Sequence, residues 1–181
     1  MRFHILTLTL LLLATPAAAQ APADPAGAAA AEMRRLSFLL GTWRGEGVTT
    51  TGPGGQQERA SVRETAQPRL DGSVLLFEGL GWQGTEGAAD YRVVHQALGV
   101  VSWDARRGGW SMRAYRGGGW VDAEVTVGDG ELVWAFDQPG AGRIRYTIRL
   151  DEQGRWHEVG DRSTDGERWH RFFEMRLTRE P

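Results

Sequence analysis

The side chains of this chain that could carry chemistry are mainly glutamates and histidines on predicted strands. Glu64 and Glu78 lie on either side of a turn signal at Asp71-Gly72. With a three-residue loop centred on Asp71, the two carboxyls face each other in apolar surroundings, whereas a two-residue loop shifts the register by one and separates them. A facing pair would have one raised pKa and share a proton. The alternative is that both glutamates bind arginines that close one end of the fold.

A second polar group flanks the turn signal at Asp165-Gly166. A two-residue type I′ turn there would pair His157 with Glu174 and Asp161 with His170 on two antiparallel strands. Imidazoles beside carboxylates on one face can ligate a metal or transfer protons. The alternative is ordinary opposite-charge pairing on a solvated face. We therefore keep His157 and His170 as an alternative metal pair and predict no metal site.

Three more polar residues interrupt apolar strand faces. His95 alternates with apolar residues over 93–103, which suits either a core or cavity histidine or a ligand or base. Tyr146 lies between two isoleucines, so its ring fills space and its hydroxyl needs a partner. Glu158 lies on a mixed face. If that face points inward, Glu158 needs an Arg or Tyr side chain as a partner, because an unpaired buried carboxylate is costly.

The eight tryptophans are spread over nearly every predicted strand, and such rings suit a pocket for a flat or apolar ligand. No complete catalytic motif accompanies them, so we assign no catalytic residue. The G-x-G-x-x-G match at 79–84 leads into another strand rather than a helix, and His157-Glu158 does not continue as H-E-x-x-H. The candidate ligand-binding residues are Trp43, Glu64, Glu78, His95, Tyr146, Glu158 and Glu174.

Composition excludes several classes of protein. The 181 residues include no Cys and no Lys. Disulfide scaffolds, thiol nucleophiles, zinc knuckles and iron–sulfur sites are therefore absent, as are Schiff-base and phosphate-loop lysines. The net charge of −2 argues against a nucleic-acid partner, which would need a basic footprint.

The elements that must position these residues are predicted to be strands. Nine Gly-, Asp- or Pro-containing turn signals separate ten runs rich in β-branched and aromatic residues, many with period-two alternation. No connection is long enough for a crossover helix, so the sheet is antiparallel. Closure into an up-and-down barrel removes exposed edges, and ten strands leave room for an internal cavity. One short helix is predicted from Ala28 to Leu40, ending at Gly41.

The N-terminal region predicts an exported protein. Arg2, an apolar run over 5–14 and Ala17-Ala18-Ala19 indicate a signal peptide at 1–19 that is too short for a stable membrane anchor. An Ala/Pro-rich linker at 20–31 and one barrel domain at 32–181 would follow. The predicted location is therefore the periplasm or the exterior. The oligomeric state is left open.

Two stretches carry a resemblance to known families. The segment 39–47, with its Gly-x-Trp, resembles the opening strand of lipocalin-like barrels, in which the tryptophan packs beneath a C-terminal Arg, here Arg176 or Arg179. Together with Glu64-Thr65, 70–72, 163–166 and 172–177, it resembles a bacterial lipocalin-like family of unknown function. This resemblance implies a ten-stranded calycin-like barrel and no established activity. The opening segment is also similar to nitrobindin, which implies haem ligation, with His170 as the corresponding histidine.

These patterns favour a non-enzymatic barrel that binds a small apolar or amphipathic molecule, without a required cofactor. Three alternatives remain. One is a hydrolase or isomerase that uses Glu64 with Glu78 or Glu158 with Glu174. Another is a haem protein of the nitrobindin kind. A third, an envelope structural protein, would follow if tryptophan and phenylalanine side chains filled the cavity.

Overall fold

The structure, a computed structural model, describes residues 24–52 and 54–181. The predicted signal peptide and residues 20–23 of the predicted linker lie outside this range. The chain forms one α-helix, α1 (Pro25–Met33), a 3-10 helix (Arg34–Leu39) and ten strands. The strands are β1 (Gly41–Thr51), β2 (Gln56–Arg69), β3 (Val74–Gln83), β4 (Arg92–Asp104), β5 (Gly109–Arg116), β6 (Gly119–Val127), β7 (Glu131–Gln138), β8 (Gly142–Leu150), β9 (Trp156–Ser163) and β10 (His170–Arg179).

The ten strands close into an antiparallel up-and-down barrel. Each strand pairs with its neighbours in sequence, and β1 also pairs with β10, from Trp43 opposite Arg179 to Thr49 opposite Phe173. The predicted fold class is confirmed. Closure leaves no strand edge of this sheet unpaired, as expected for a long meander without crossover helices.

The N-terminal helix begins earlier than the sequence predicted. Asp24 caps α1 by accepting the Gly27 N–H at 3.0 Å, and Pro25 occupies the first helical turn, where its missing N–H costs nothing. The helix therefore starts at Pro25 rather than Ala28, within the predicted linker. It continues into the 3-10 helix, and its end before Gly41 agrees with the prediction. No helix among the described residues is long and apolar enough to cross a membrane.

One end of the barrel is filled with side chains. Leu36 and Leu39 of the 3-10 helix are fully buried there, together with Trp43. The Trp43 indole N–H donates to the Leu39 carbonyl at 2.8 Å. The Trp43 ring meets that of Trp156 edge-on, with centroids 5.7 Å apart. We call this the closed end, and the opposite end the open end.

A C-terminal arginine completes the closed end, as the lipocalin-like resemblance implied. The Arg179 guanidinium lies 4.1 Å from the centroid of the Trp43 ring. It also donates to the carbonyls of Phe38, at 2.8 Å, and Leu40. A planar guanidinium can stack and donate at the same time. Arg179 rather than Arg176 therefore takes this place, because Arg176 binds Glu174 instead.

We expect Arg179→Met to destabilise the protein by about 1 to 3 kcal/mol, because two carbonyls lose a charged donor and Trp43 loses its stacked cation. Urea unfolding monitored by tryptophan fluorescence measures the change. Arg149→Met, at an exposed position of β8, is the matched control and should change stability by less than about 0.5 kcal/mol. Equal stability of the two variants would contradict the inferred role of Arg179.

Of the two registers considered for β2 and β3, the one that places Glu64 opposite Glu78 is wrong by one residue, and the one that separates them is observed. The chain turns through a 3-10 turn at Leu70–Gly72, in which Leu70 and Asp71 have positive φ, and pairing resumes at Val74. Glu64 therefore lies opposite Gly79. Glu78 lies opposite Thr65 and is exposed on the outer face. A one-residue shift moves a side chain to the other face of a sheet, so the predicted pairing of Glu64 with Glu78 does not form.

The predicted register of β9 and β10 is also wrong. Residues 164–169 connect the strands instead of a two-residue turn, and a bulge between Arg171 and Phe173 shifts the pairing again. His170 therefore pairs with Arg162 rather than Asp161. His157 and Glu174 still touch, but diagonally, with Nε2 and Oε1 2.9 Å apart.

This arrangement gives the alternative metal pair no support. His157 lies opposite Arg176, whereas His170 lies opposite Arg162, five positions further along β9. The described residues contain no cluster of three or more His, Asp or Glu side chains that could hold a metal ion.

Candidate functional site

Exposure of the inward-facing side chains changes along the barrel axis. On β7, Leu132 at the closed end is fully buried, whereas Trp134 and Phe136 keep accessible surface. The same change occurs on β10 between Leu177, fully buried, and Phe173. Because these side chains alternate on the inner face, the remaining surface borders space inside the barrel. The closed half is therefore packed, and the open half retains a cavity.

Glu64 lies at the inner end of this cavity, next to the packed closed half. We call this inner end the floor. It is paired across β1 and β2 with Trp43 and across β2 and β3 with Gly79. Protein atoms enclose its carboxyl closely enough to raise its pKa well above the ordinary value, yet the side chain keeps accessible surface. That surface must face the cavity. A β-carbon at residue 79 would lie 2.6 Å from Glu64 Oε1, so the carboxyl rests directly over a glycine.

Glu158 is the second carboxyl of the floor. It follows Trp156 by two residues on the inner face of β9 and accepts that residue's indole N–H at 3.2 Å. Only 8% of its surface is accessible. Burial raises the pKa of Glu158 to about 7, although the indole hydrogen bond acts in the opposite direction. At neutral pH this carboxyl is therefore close to half protonated.

The charge of Glu158 acts on Glu64. Desolvation is the main cause of the raised pKa of Glu64, and the nearby charge of Glu158 raises it further. Within the described part of the chain, no basic side chain contributes to the pKa of either group. The floor therefore holds two acids that have no arginine partner among the described residues, so the alternative of arginine binding is not observed for Glu64. The carboxyl whose charge acts on Glu64 is that of Glu158 rather than Glu78.

Aromatic rings form the wall above Glu158. The Tyr146 ring stacks on that of Trp134 with centroids 4.4 Å apart, and Trp134 stacks on Phe136 at 5.6 Å. Phe172 and Phe173 both meet Tyr146 edge-on, at 5.8 and 6.1 Å. Burial and the charge of Glu158 raise the pKa of Tyr146 to about 12, so its hydroxyl is protonated at neutral pH.

The mouth of the cavity carries the opposite charge. Arg116 ends β5 on the same face as Met112 and Ala114 and lies opposite Ala97 of β4. It is exposed. Burial, and secondarily the charge of Arg116, lower the pKa of His95, so this histidine is neutral at physiological pH. His95 lies opposite Gly81, on the same face of β4 as Ala97 and Gly99.

The structure separates the candidate residues into three groups. Glu64, His95, Tyr146 and Glu158 share the interior of the open half. Trp43 is part of the packed closed end. Glu78 and Glu174 belong to the outer face, where Glu78 is exposed and Glu174 binds His157 and Arg176. The enzymatic pairs Glu64 with Glu78 and Glu158 with Glu174 are therefore not formed inside the barrel.

Sequence reasoning missed several lining residues. Trp134, Phe136, Phe173 and Arg116 could have been found from strand alternation, since each shares a face with an apolar residue two positions away. Phe172 could not, because it reaches the interior only through the β10 bulge. His170, the histidine that the nitrobindin resemblance implied, is exposed at the start of β10, so its imidazole is not enclosed as an axial ligand would be.

The outer surface has its own concavity. A groove of about 1140 Å³ runs over β3 to β6, and its residues include Leu80, Leu98, Tyr115 and Trp120 of the outer face. Its lining also reaches His95, Ala97 and Arg116. Trp120 is 57% exposed and stacks on Arg113, with the guanidinium carbon 4.0 Å from the ring centroid. Ligand experiments must therefore distinguish this groove from the interior.

Comparison with known proteins adds support for the fold alone. No family model matches the chain, and no curated protein matches its sequence. Among solved structures, the chain is similar to Rv2717c from M. tuberculosis, with a TM-score of 0.58 and 14% sequence identity over 82% of this chain and 97% of that chain. At this identity the similarity concerns the architecture of the barrel. The lipocalin-like and nitrobindin families stay predictions from the sequence.

We expect Glu158→Gln to alter how stability depends on pH. The folded-state pKa of about 7 lies above the ordinary value of 4.5. The stability contributed by the buried acid is therefore complete below about pH 4.5 and is lost as pH rises through about 7. A neutral amide has no such loss. The stability of Glu158→Gln relative to wild type should thus increase from about pH 5 to about pH 8, by on the order of 1 to 3 kcal/mol.

Urea unfolding across this pH range measures the effect. His95, whose pKa is lowered, acts in the opposite direction but is present in both proteins and cancels. Glu78→Gln, on the exposed outer face, is the control and should run parallel to wild type. Parallel curves for Glu158→Gln would show that Glu158 ionises in the folded protein as freely as in the unfolded chain.

Proposed function

We propose that this protein binds a small amphipathic molecule inside the open half of the barrel. The observation that carries the proposal is the change in exposure along the inner face, where aromatic rings and polar groups that could be buried retain accessible surface. Stacked rings offer an apolar wall, and Glu64, Glu158, Tyr146 and His95 offer a few polar contacts. A mainly apolar pocket with few convergent polar groups is typical of small-molecule sites.

A variant that fills the cavity tests this proposal. Ala97 faces the interior, opposite Gly79 and Arg116, so Ala97→Phe places a ring where the ligand would lie. Gln96→Phe places the same ring on the outer face, where Gln96 borders the groove. We expect wild type to bind N-phenylnaphthylamine, a neutral fluorescent probe, in a saturable 1:1 manner. Ala97→Phe should weaken binding about ten-fold or more, and Gln96→Phe should not.

Probe fluorescence and quenching of tryptophan emission report the titration, with thermal unfolding as a check that both variants fold. Because Ala97 also borders the groove, weakening by Gln96→Phe, with or without weakening by Ala97→Phe, would assign the probe to the groove and contradict the proposal. So would the absence of saturable binding to wild type. A parallel haem titration that produced a Soret shift lost in His170→Ala would favour the nitrobindin-like alternative instead.

A second candidate function is acid–base catalysis, supported by the convergence of Glu64 and Glu158 inside the barrel. One acid with a raised pKa can give a proton while a second group accepts one. The pairs first considered, with Glu78 and Glu174, are replaced by this one. A ligand that is bound by wild type and recovered chemically changed, but recovered intact from Glu158→Gln, would establish catalysis over binding.

We also propose that the protein is exported. The support is the charged start at Arg2, the apolar run over 5–14 and the small residues before Gln20. When the full chain is expressed in a bacterial host, the mature protein should be released with the periplasmic fraction. Intact mass and N-terminal sequencing should give a chain that begins at Gln20. Recovery of the uncleaved chain in the cytoplasm would contradict export.

A further inference from the structure

We propose that the polar head of the ligand is an ammonium group, bound between the carboxylates of Glu64 and Glu158 at the floor of the cavity. This inference rests on the proposed binding function and narrows its ligand to amphipathic amines. The tail of such a molecule would lie along the aromatic wall toward the mouth.

The charge of the floor is the first support. Asp161 and Glu174, on the outer face, both bind arginines, as carboxylates in a folded protein usually do. Glu64 and Glu158 have no basic partner among the described residues. Arg116 lies exposed at the mouth, where its charge acts on His95 and Tyr146. Two enclosed carboxyls that lack a cationic partner form a site that a positively charged ligand group would complement.

The backbone opposite Glu64 is the second support. Gly79 has an ordinary φ, so no turn or strained conformation demands a glycine there. Its role is to leave space, because a β-carbon would lie 2.6 Å from Oε1 and 3.0 Å from Oε2 of Glu64. The glycine lets the carboxyl lie flat against the wall of the cavity, where it can meet a ligand instead of filling the centre itself.

The rings around the floor are the third support. Tyr146 lies close enough to Glu158 for the charge of the carboxylate to act on the phenol. The ring of Tyr146 stacks on that of Trp134 and meets that of Phe173 edge-on, so the three rings lie together. An ammonium group is attracted to such faces as well as to carboxylates, and most strongly where water is excluded. An alcohol head could donate a hydrogen bond to a carboxylate but has no positive charge to be attracted by the carboxylates or the rings, and a carboxylate head would be repelled by Glu64 and Glu158.

Proton release should accompany binding. The free site holds protons on Glu64 and Glu158, and an ammonium ion favours their ionised forms, so these protons pass to the buffer. The other groups that face the floor do not change charge near neutral pH. Trp156 is only a donor, the pKa of Tyr146 is about 12, and that of His95 is lowered. Amine affinity should therefore rise with pH from about 5 to about 8.

Three probes that share one ring system and differ in their polar head group test which head group the site prefers. They are naphthylethylamine, naphthylethanol and naphthylacetate. We expect wild type to bind the amine at least about ten-fold more tightly than the alcohol, with the carboxylate weakest. Calorimetry in two buffers of different ionisation enthalpy should show net proton release for the amine. The alcohol should release none.

Substitutions at the floor of the cavity test whether its two glutamates cause the preference for the amine. Glu64→Gln and Glu158→Gln should remove most of the preference for the amine while leaving alcohol binding within about two-fold. Gly79→Ala, which displaces the Glu64 carboxyl, should also reduce this preference. Gly109→Ala is its matched control, since its added β-carbon meets no atom within 4 Å and its φ is ordinary. Glu78→Gln controls for the loss of a surface charge.

The outcomes separate this inference from the function on which it rests. Equal binding of amine and alcohol, or tightest binding of the carboxylate, overturns the ammonium assignment while an interior ligand site stands. Amine preference that survives both glutamine variants also overturns it. If wild type binds none of the three probes and no neutral fluorescent probe, the binding function itself is wrong.

Discussion

The pairing of β1 with β10 is the constraint on which the rest of this structure depends. It joins the ends of a 140-residue meander, from Gly41 to Glu180, and its register determines which residues meet at the closed end. Arg179 stacks on Trp43 only because Trp43 and Arg179 are partners in that register. The chain contains no cysteine, so strand closure and this arginine do what a disulfide does in many small exported domains.

Closure also explains why the interior is divided into two halves. The 3-10 helix places Leu36 and Leu39 in one end, where the tryptophans of β1 and β9 complete the packing. No element covers the other end in the described chain. A ten-stranded barrel is too wide for single side chains to fill its centre. The open half therefore stays accessible, and the polar residues at its floor remain enclosed without being packed.

Glu64 and Glu158 lie at the boundary between the two halves. Each is on the inner face beside a closed-end tryptophan, Trp43 for the first and Trp156 for the second. Burial at this level makes ionisation costly, and the space above makes a ligand possible. A carboxyl nearer the open end would be hydrated, and one nearer the closed end would need a protein partner. Their position thus gives them both a raised pKa and access to the cavity.

The sequence by itself determined the strand count, the closed antiparallel architecture, the inner face of β4 and the place of Trp43 under a C-terminal arginine. The first three follow from periodicity and turn residues, and the last was implied by the lipocalin-like resemblance. Tertiary structure decided which glutamates meet. The four residues 70–73 and the β10 bulge set registers that no local pattern reveals, and each single-residue shift exchanges the two faces of a strand. Glu78 was thereby moved outside and Phe172 inside, and Glu64 was brought near Glu158, 94 residues away in sequence, because only the closed barrel places β2 and β9 around one interior.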